Sequence, residues 1–296
     1  MKEPIEFRKV REFGDIISDT VVFIKQNLKP LLKAYFYICG FFILASILSS
    51  IFMQLSIASM STGRYQYEMN SPIRSLYNFG FSYAFYVIFL VLSIVSMHLT
   101  ILCFVALYIR KGNVAPTVPE VWSYFKYYFW RMFGSSIAMG IFWIICIMLC
   151  IVPGIYVMPA LVIFFPIMIL ENAGFSFAFE RAFKLLKNEW WITFAVILVI
   201  YFIYNACAMV IQIPAIVISM ASAFTHLEQP ITKFYAIVTS LAQNLSQVFV
   251  IIPVVAAALI YFNLVERKES TGLMERIDTL GQTETKDDHP FAQEEY

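Results

Sequence analysis

Six polar side chains interrupt long apolar stretches of the sequence, and they are the residues best placed to bind a solute. They are His98, Asn205, Gln212, Gln243, Asn244 and Gln247. A polar group among apolar neighbours costs free energy unless it finds a hydrogen-bond partner or water. These residues therefore either hydrogen-bond between helices or line a polar cavity, and the sequence leaves both alternatives open.

His98 is the only ionisable residue that falls well inside a predicted membrane span. Ionisable groups in lipid are costly and usually face protein or water. We expect a neutral ring hydrogen-bonded to a neighbouring carbonyl or hydroxyl. The alternative, a proton relay, would require a buried carboxylate, and no predicted span holds one in its interior.

The sequence shows none of the common catalytic motifs, such as GxSxG, HExxH, GxxxxGK[ST] or GxGxxG. The five cysteines all fall in apolar runs: Cys39, Cys103, Cys146, Cys150 and Cys207. Cys146 and Cys150 are four residues apart, but no histidine or further cysteine stands at metal-ligand spacing. We therefore expect buried, reduced thiols, no cofactor and no enzymatic activity.

The composition is that of a membrane protein. Hydrophobic residues make up 60% of the 296 residues and charged residues only 14%, whereas a soluble domain carries about 25% charged residues. A helix of about 20 apolar residues crosses the ~30 Å hydrocarbon core of a bilayer. The sequence predicts an all-α polytopic protein with six spans, over 31–55, 79–109, 132–152, 154–171, 190–218 and 235–264.

The basic residues predict the orientation of these spans. Of the 21 lysines and arginines, only Arg64, Arg74 and Lys233 fall on one side of the predicted membrane. Loops rich in lysine and arginine stay in the cytoplasm. We therefore expect both termini to be cytoplasmic, with residues 1–30 an amphipathic cytoplasmic segment, 31–265 the membrane domain and 266–296 an acidic tail. Residues 272–280 of that tail could form a short helix, and disorder is expected from Gly281 on.

Three segments combine an apolar face with a charged face and each precedes a span: Gly14–Leu32, Val118–Phe133 and Phe175–Trp191. The chain thus reads as three repeats of an amphipathic interfacial helix followed by a transmembrane hairpin. Aromatic and basic residues favour the lipid headgroup level. The basic residues that could bind anionic headgroups or a protein partner are Lys25, Lys29, Lys126, Arg131, Arg181, Lys184 and Lys187. Alternatively, the three helices are elbows packed under the bundle.

Two local features concern the third and fourth spans. The sequence VPGIY (Val152–Tyr156) predicts a tight reversal between them, because proline and glycine favour turns.

Glu171, at the end of the fourth span, is expected to pair with a basic residue of one of the amphipathic helices. Pro159 and Pro166 are expected to kink or break the fourth span.

The stretch from VPGIY through the third amphipathic helix resembles the membrane domain associated with glycerophosphodiester phosphodiesterases and related bacterial six-span families. The matching positions are Pro153, Gly154, Tyr156, Glu171, Ala178, Phe179, Ala182, Leu185 and Lys187. The resemblance implies a bacterial inner-membrane protein. Members of the family that are enzymes carry a separate soluble catalytic domain with metal ligands, which we do not expect here, since about thirty residues follow the last span.

Three functions are compatible with these observations. The leading interpretation is a non-enzymatic membrane-organising or accessory scaffold that engages anionic lipids or a membrane or cytoplasmic protein, and not nucleic acid. The alternative is a transporter or channel for a small or lipid-like solute, which would require a cavity beside Gln243–Gln247. An intramembrane enzyme would need His98 beside a carboxylate in a water-accessible pocket.

Overall fold

The computed structural model describes residues 4–61, 72–225 and 230–270, and the regular secondary structure of these residues is all helical. The helices are α1 (Phe13–Ser61), α2 (Pro72–Arg110), α3 (Val118–Leu149), α4 (Ile151–Leu170), α5 (Phe175–Leu186), α6 (Trp190–Thr225), α7 (Pro230–Ser246) and α8 (Ile251–Glu269). The predicted tail helix over 272–280 and the disorder predicted beyond it lie outside the described residues, as does Arg64.

Six segments of the described chain are long and apolar enough to cross a bilayer. They are Phe13–Ile57, Gly80–Arg110, Val118–Leu149, Ile151–Leu170, Trp190–Met220 and Phe234–Glu269. Each corresponds to one predicted span, so the prediction of a multi-pass helical membrane protein is confirmed. The threefold repeat and the side on which the termini lie stay predictions.

The amphipathic segments differ from the prediction in their connection to the spans. Only the third, α5, is a separate helix; the first two continue without a break into their spans as α1 and α3. Pro30 lies inside α1 and does not interrupt it. By contrast, α5 ends because Asn188 adopts the left-handed conformation, with φ of 73°.

Asparagine residues end helices at three places. The angle φ is 67° at Asn113 after α2, 51° at Asn172 after α4 and 73° at Asn188 after α5. Asparagine tolerates this left-handed region better than most residues because its short side chain can hydrogen-bond locally. These residues therefore fix where the chain leaves one helix and turns toward the next.

The reversal between α3 and α4 is not at VPGIY, so that prediction is wrong. The chain turns at the single extended residue Cys150, with φ of −169° and ψ of 146°, and Val152–Tyr156 already belong to α4. Proline is tolerated in the first turn of a helix, where the amide hydrogens have no partner within the helix. Pro153 therefore marks a helix start. As the turn residue, Cys150 is exposed, contrary to the expectation that all five thiols are buried.

Gly154 allows α3 and α4 to approach closely. A Cβ atom at position 154 would lie 2.5 Å from Cγ1 of Ile147, and the carbonyl of Gly154 accepts a hydrogen bond of 3.3 Å from the indole nitrogen of Trp143. Small residues serve this purpose in membrane helix pairs, because packing rather than water exclusion holds such helices together.

The last helix, α8, is the centre of the bundle. Its residues from Val254 to Leu259 are all buried, and three successive alanines among them let neighbouring helices approach. The segment before α1 packs against the end of this helix. Phe7 is buried with its ring against Phe262 at 5.7 Å, and the backbone N–H of Arg11 donates to Asn263 at 2.7 Å.

We predict that Gly154→Ala lowers the free energy of unfolding by about 1–3 kcal/mol, since the added methyl overlaps Ile147. Gly140→Ala in α3 is the matched control, because a Cβ there meets nothing within 4 Å; its effect should stay within about 1 kcal/mol. Adding Ile147→Ala to Gly154→Ala should recover part of the loss. Thermal unfolding in detergent measures the stability of all three variants. A Gly154→Ala protein as stable as wild type would contradict the close contact between residue 154 and Ile147.

Candidate functional site

The sixth span is interrupted where its polar residues cluster. Helix α7 ends at Ser246, a 3-10 turn covers Gln247–Val250, and α8 begins at Ile251. Pro253 lies in the first turn of α8, where a proline is tolerated because the amide hydrogens there have no partner within the helix. Gln243, Ser246 and Gln247 therefore stand at the interruption between two helices.

A cavity of about 410 Å³ with several polar side chains in its wall lies beside this interruption. Its polar wall is contributed by α2, α6 and the α7–α8 junction. The polar residues are His98, Tyr201, Tyr204, Gln212, Gln243, Ser246 and Gln247. Leu90, Ile94, Met97, Val250 and Pro253 complete the wall.

A second, apolar cavity of about 330 Å³ adjoins the first and shares His98, Tyr201 and Pro253 with it. Its other walls come mainly from α4, with further residues from α2, α3 and α8. They are Leu102, Trp143, Met158, Leu161, Val162, Phe165, Pro166, Val254 and Ala257. We call the two cavities together the chamber; it has a polar part and an apolar part.

His98 presents a hydrogen-bond acceptor where the two cavities meet. Its Nδ1 lies 2.8 Å from the carbonyl oxygen of Ile94. A carbonyl can only accept, so Nδ1 carries the hydrogen. In a neutral ring Nε2 is then left with a lone pair that accepts a hydrogen bond. This is the carbonyl-bonded histidine that the sequence predicts.

The glutamines of the polar part are incompletely bonded. The Oε1 atom of Gln247 is buried and has no hydrogen-bond partner among the described residues. The amide nitrogen of Gln243 lies 3.4 Å from the Tyr86 hydroxyl, which is longer than an ordinary N–H···O bond of about 2.9–3.0 Å. The chamber thus offers hydrogen-bonding groups that the protein itself does not fully use.

The structure brings together four of the six predicted polar residues: His98, Gln212, Gln243 and Gln247 line the chamber. The other two do not. Asn205 is exposed and its amide donates to the Tyr201 carbonyl of its own helix at 2.7 Å. Asn244 is buried; it donates to the Ser240 carbonyl at 2.8 Å and lies 3.4 Å from the Ser50 hydroxyl of α1.

No aspartate, glutamate, lysine or arginine of the described chain lines either part of the chamber. The described residues also contain no group of three histidine, cysteine or acidic side chains that could hold a metal ion. The chamber is therefore a site for neutral polar contacts and apolar packing.

The seven predicted lipid-facing basic residues divide into two groups. Lys25, Lys29, Lys126, Lys184 and Lys187 are exposed. The other two are engaged within the fold. Arg131 donates to the side chain of Asn172 at 3.0 Å and to the carbonyl of Ala173, so it fastens α3 to the connection between α4 and α5.

Arg181 of α5 joins the ends of two other helices, α4 and α8, and its pairing with Glu171 confirms the predicted ion pair. Its Nε lies 2.6 Å from Glu171, and its two terminal nitrogens lie 2.9 and 3.0 Å from the two oxygens of Glu269. Tyr261 also donates to Glu171 at 2.7 Å. The bond to Glu269 raises the pKa of Arg181 above its usual range, partial burial opposes this, and the bond to Glu171 adds to it.

Sequence reasoning missed several residues of these sites. Tyr201 and Tyr204 lie three residues apart in an apolar helix, and only the position of α6 beside α2 shows that both line the chamber. Glu269 lies in the predicted tail, but it belongs to α8 and binds Arg181.

Comparison with known proteins identifies no relative. No family model matches the chain, and no curated protein and no solved structure matches it. The resemblance to the membrane domain of the phosphodiesterases therefore stays a prediction, and the function is argued from the chamber and the charged helix ends.

We predict that Arg181→Gln lowers the free energy of unfolding by roughly 1–3 kcal/mol, because two carboxylates lose their shared cation. Arg181→Lys should lower the free energy of unfolding by less, since lysine keeps the positive charge but cannot bind a carboxylate in the bidentate manner of arginine. Lys184→Gln, on the same helix, should change stability by less than about 0.5 kcal/mol. Thermal unfolding in detergent distinguishes these cases; equal stability of all three variants would show that the cluster does not hold the helix ends together.

Proposed function

We propose that the chain is a non-enzymatic integral membrane protein that binds a neutral, lipid-like solute in the chamber, as a transporter or carrier does. The observation that carries the proposal is the adjoining pair of cavities, one polar and one apolar, without a charged residue among the described residues of their walls. Ligand sites are mostly apolar, with a few polar groups that fix orientation.

The polar part favours a ligand head that donates hydrogen bonds. Oε1 of Gln247 and Nε2 of His98 are acceptors. A hydroxyl or amide of the ligand would satisfy both, whereas a carboxylate or phosphate would bring a second acceptor and an unpaired charge into a low-dielectric site. The head is therefore a neutral hydroxyl or amide group.

The apolar part favours a hydrocarbon chain. Leu161, Val162 and Phe165 of α4 face it together with Leu102 and Val254. A hydrocarbon chain placed there would exchange contacts with lipid for contacts with protein. Close packing, and not removal from water, would therefore favour its binding. Specificity would then come from the hydrogen bonds at the other end of the chamber.

Loss of the Gln247 acceptor should weaken binding of a monoacylglycerol, whose head carries only hydroxyl groups. We expect Gln247→Leu to reduce its affinity about fivefold to tenfold, as one hydrogen bond contributes roughly 1 kcal/mol. Asn205→Leu is the matched control, an amide of a neighbouring span outside the chamber, and should leave affinity within about twofold. Binding is measured with photoactivatable monoacylglycerol in nanodiscs, by labelling of the chamber walls.

An alkyl sulfate of the same chain length tests the selectivity for neutral heads. It should bind more weakly than the monoacylglycerol. Two results would reject the proposal: equal labelling of wild type and Gln247→Leu, or equal binding of the sulfate.

A second candidate, a membrane-organising scaffold, is favoured by the five exposed lysines at the predicted inner interface. Lys126 lies over the ring of Trp122, 5.8 Å from its centre, and Trp130 and Trp191 are more than 70% exposed. Exposed aromatic and basic side chains side by side are typical of helices that lie at the headgroup level. Anionic lipid headgroups or a protein partner would bind this lysine-rich surface.

The scaffold candidate depends on an orientation that we also propose: both termini in the cytoplasm of a bacterial cell, with the chain in its inner membrane. The basic residues support it through the positive-inside rule. A green fluorescent protein fused after Tyr296 should fluoresce, and alkaline phosphatase fused there should be inactive, since each folds on one side only. The opposite pattern would reject the orientation and place the lysines on the outer surface.

A further inference from the structure

The turn between α3 and α4 exposes apolar side chains. Residues 147–152, here called the tip, are aliphatic residues, a methionine and a cysteine. The four that flank the central cysteine are 68–83% exposed: Met148, Leu149, Ile151 and Val152. Such a surface is costly in water but not against lipid chains. We propose that the α3–α4 hairpin enters the leaflet on the side of α5 and turns back within it, so that the tip contacts the acyl chains of that leaflet and does not reach the opposite surface.

The charged face of α5 fixes the depth of that helix. Glu180, Lys184 and Lys187 are exposed, and exposed charged side chains are costly in hydrocarbon. The end of α5 is also bonded to the last turn of α8, because the ammonium of Lys268 donates to the carbonyls of Lys184 and Lys187. Helix α5 therefore lies at the membrane surface, beside the end of α8.

The first half of α4 runs along this surface helix in the opposite direction. The ring of Phe164 lies 5.3 Å from that of Phe175, and the ring of Tyr156 lies 6.5 Å from that of Phe183. The two contacts are eight residues apart in each helix. If α4 stood perpendicular to the membrane, α5 beside it would do so too, and its charged face would enter the hydrocarbon. This stretch of α4 therefore lies close to the membrane plane.

Helix α3 packs on the same face of α5. The ring of Phe142 lies 5.4 Å from that of Phe179, which is midway between the two contacts of α4. Ala178 and Ala182 of α5 are buried on this side as well. Both arms of the hairpin thus rest on the apolar face of the surface helix.

The start of α6 gives an independent measure of depth. Glu189, directly before α6, lies 3.6 Å from Arg267 in the last turn of α8, so α6 begins at the same surface. Its first residue, Trp190, donates its indole N–H to the carbonyl of Tyr156 at 2.9 Å. Cys150 lies six residues beyond Tyr156, which is about 9 Å of helix, whereas the hydrocarbon core is ~30 Å thick. The tip therefore ends inside the membrane.

The backbone of the turn limits how deep the tip can lie. The N–H of Cys150 donates to the Cys146 carbonyl at 3.1 Å, and Pro153 has no N–H. The other N–H groups that begin α4 and carbonyls that end α3 have no partner within their own helices, which is costly at the centre of a bilayer. Near the headgroups, water and lipid ester groups can bond to them. The turn therefore lies nearer the headgroups than the bilayer centre, with its side chains among the acyl chains.

The partner of the tip is thus the lipid of one leaflet. An apolar element that enters only one leaflet takes up area there and not in the opposite leaflet, which would serve the membrane-organising candidate. The inference depends neither on a guest in the chamber nor on which side of the cell membrane α5 occupies. Guest binding and the depth of the hairpin can therefore fail separately.

The test places a nitrobenzoxadiazole fluorophore on Cys150 of the full chain. Cys146 and Cys207 are replaced by alanine, while Cys39 and Cys103 are buried and stay. Dithionite destroys the fluorescence of this label and does not cross a bilayer, so its effect reports the side from which the label is reached.

The protein is reconstituted into sealed vesicles of phosphatidylethanolamine and phosphatidylglycerol. Vesicles with α5 outermost are captured through an affinity tag fused after Tyr296, since α8 ends beside α5. Two reference variants carry Cys150→Ala and a new labelling position. Glu180→Cys marks the side of α5, and Arg64→Cys marks the predicted connection on the opposite side.

External dithionite should remove the Cys150 signal without detergent, as it removes the Glu180→Cys signal, but more slowly because acyl chains cover the tip. The Arg64→Cys signal should persist until detergent opens the vesicles. Leu149→Cys, labelled in place of Cys150, should behave like Cys150 and covers the case that a label on the turn prevents folding. A tip signal that persists until detergent is added, as at Arg64→Cys, would overturn the proposal and show that the hairpin crosses the membrane.

Discussion

The hydrocarbon core of a bilayer holds no water that could hydrogen-bond to a polar group. Most features of this protein follow from that constraint. Backbone groups are satisfied inside helices, and several hydroxyl groups within the bundle bond to the turn before them, as Thr100 does to the Ser96 carbonyl at 2.8 Å. Among the buried polar atoms of the described chain that lack a hydrogen-bond partner, Oε1 of Gln247 belongs to a residue that lines the chamber.

Helix α8 links the chamber to the charged end of the bundle. Its first turn, with Pro253, forms one wall of the chamber, and its last turn carries Glu269, which binds Arg181. Between them the helix is buried on all sides. A shift of α8 along its axis would change the chamber and the Arg181 cluster together, because a closely packed helix moves as a unit. The separate helix α5 lies against this same end and is held there by Lys268, whose ammonium donates to the carbonyls of Lys184 and Lys187.

The sequence predicts the spans well because lipid imposes a simple rule on composition. It also predicts the Glu171 ion pair, since a carboxylate at the end of a span needs a cation. The turn at Cys150 could not be found in this way. The same proline and glycine that favour a turn also suit the start of α4 and its contact with Ile147, and only the position of α3 decides between these uses.

The chamber shows the same limit. The polar residues were visible in the sequence, but which of them face one another depends on helix rotation. Asn205 and Gln212 lie on one helix, and only Gln212 lines the chamber. Asn244 follows Gln243 directly, yet it faces α1.

The central claim is that the polar part of the chamber holds a guest molecule when the protein is in lipid. An electron cryo-microscopy structure of the chain in nanodiscs made from its native membrane tests it most directly. The account predicts non-protein density within hydrogen-bonding distance of Gln247 and His98, extending as a chain along α4. The claim would be contradicted if α2, α6 and α8 packed directly against one another without non-protein density between them, and if Gln243 and Gln247 were hydrogen-bonded to neighbouring helices.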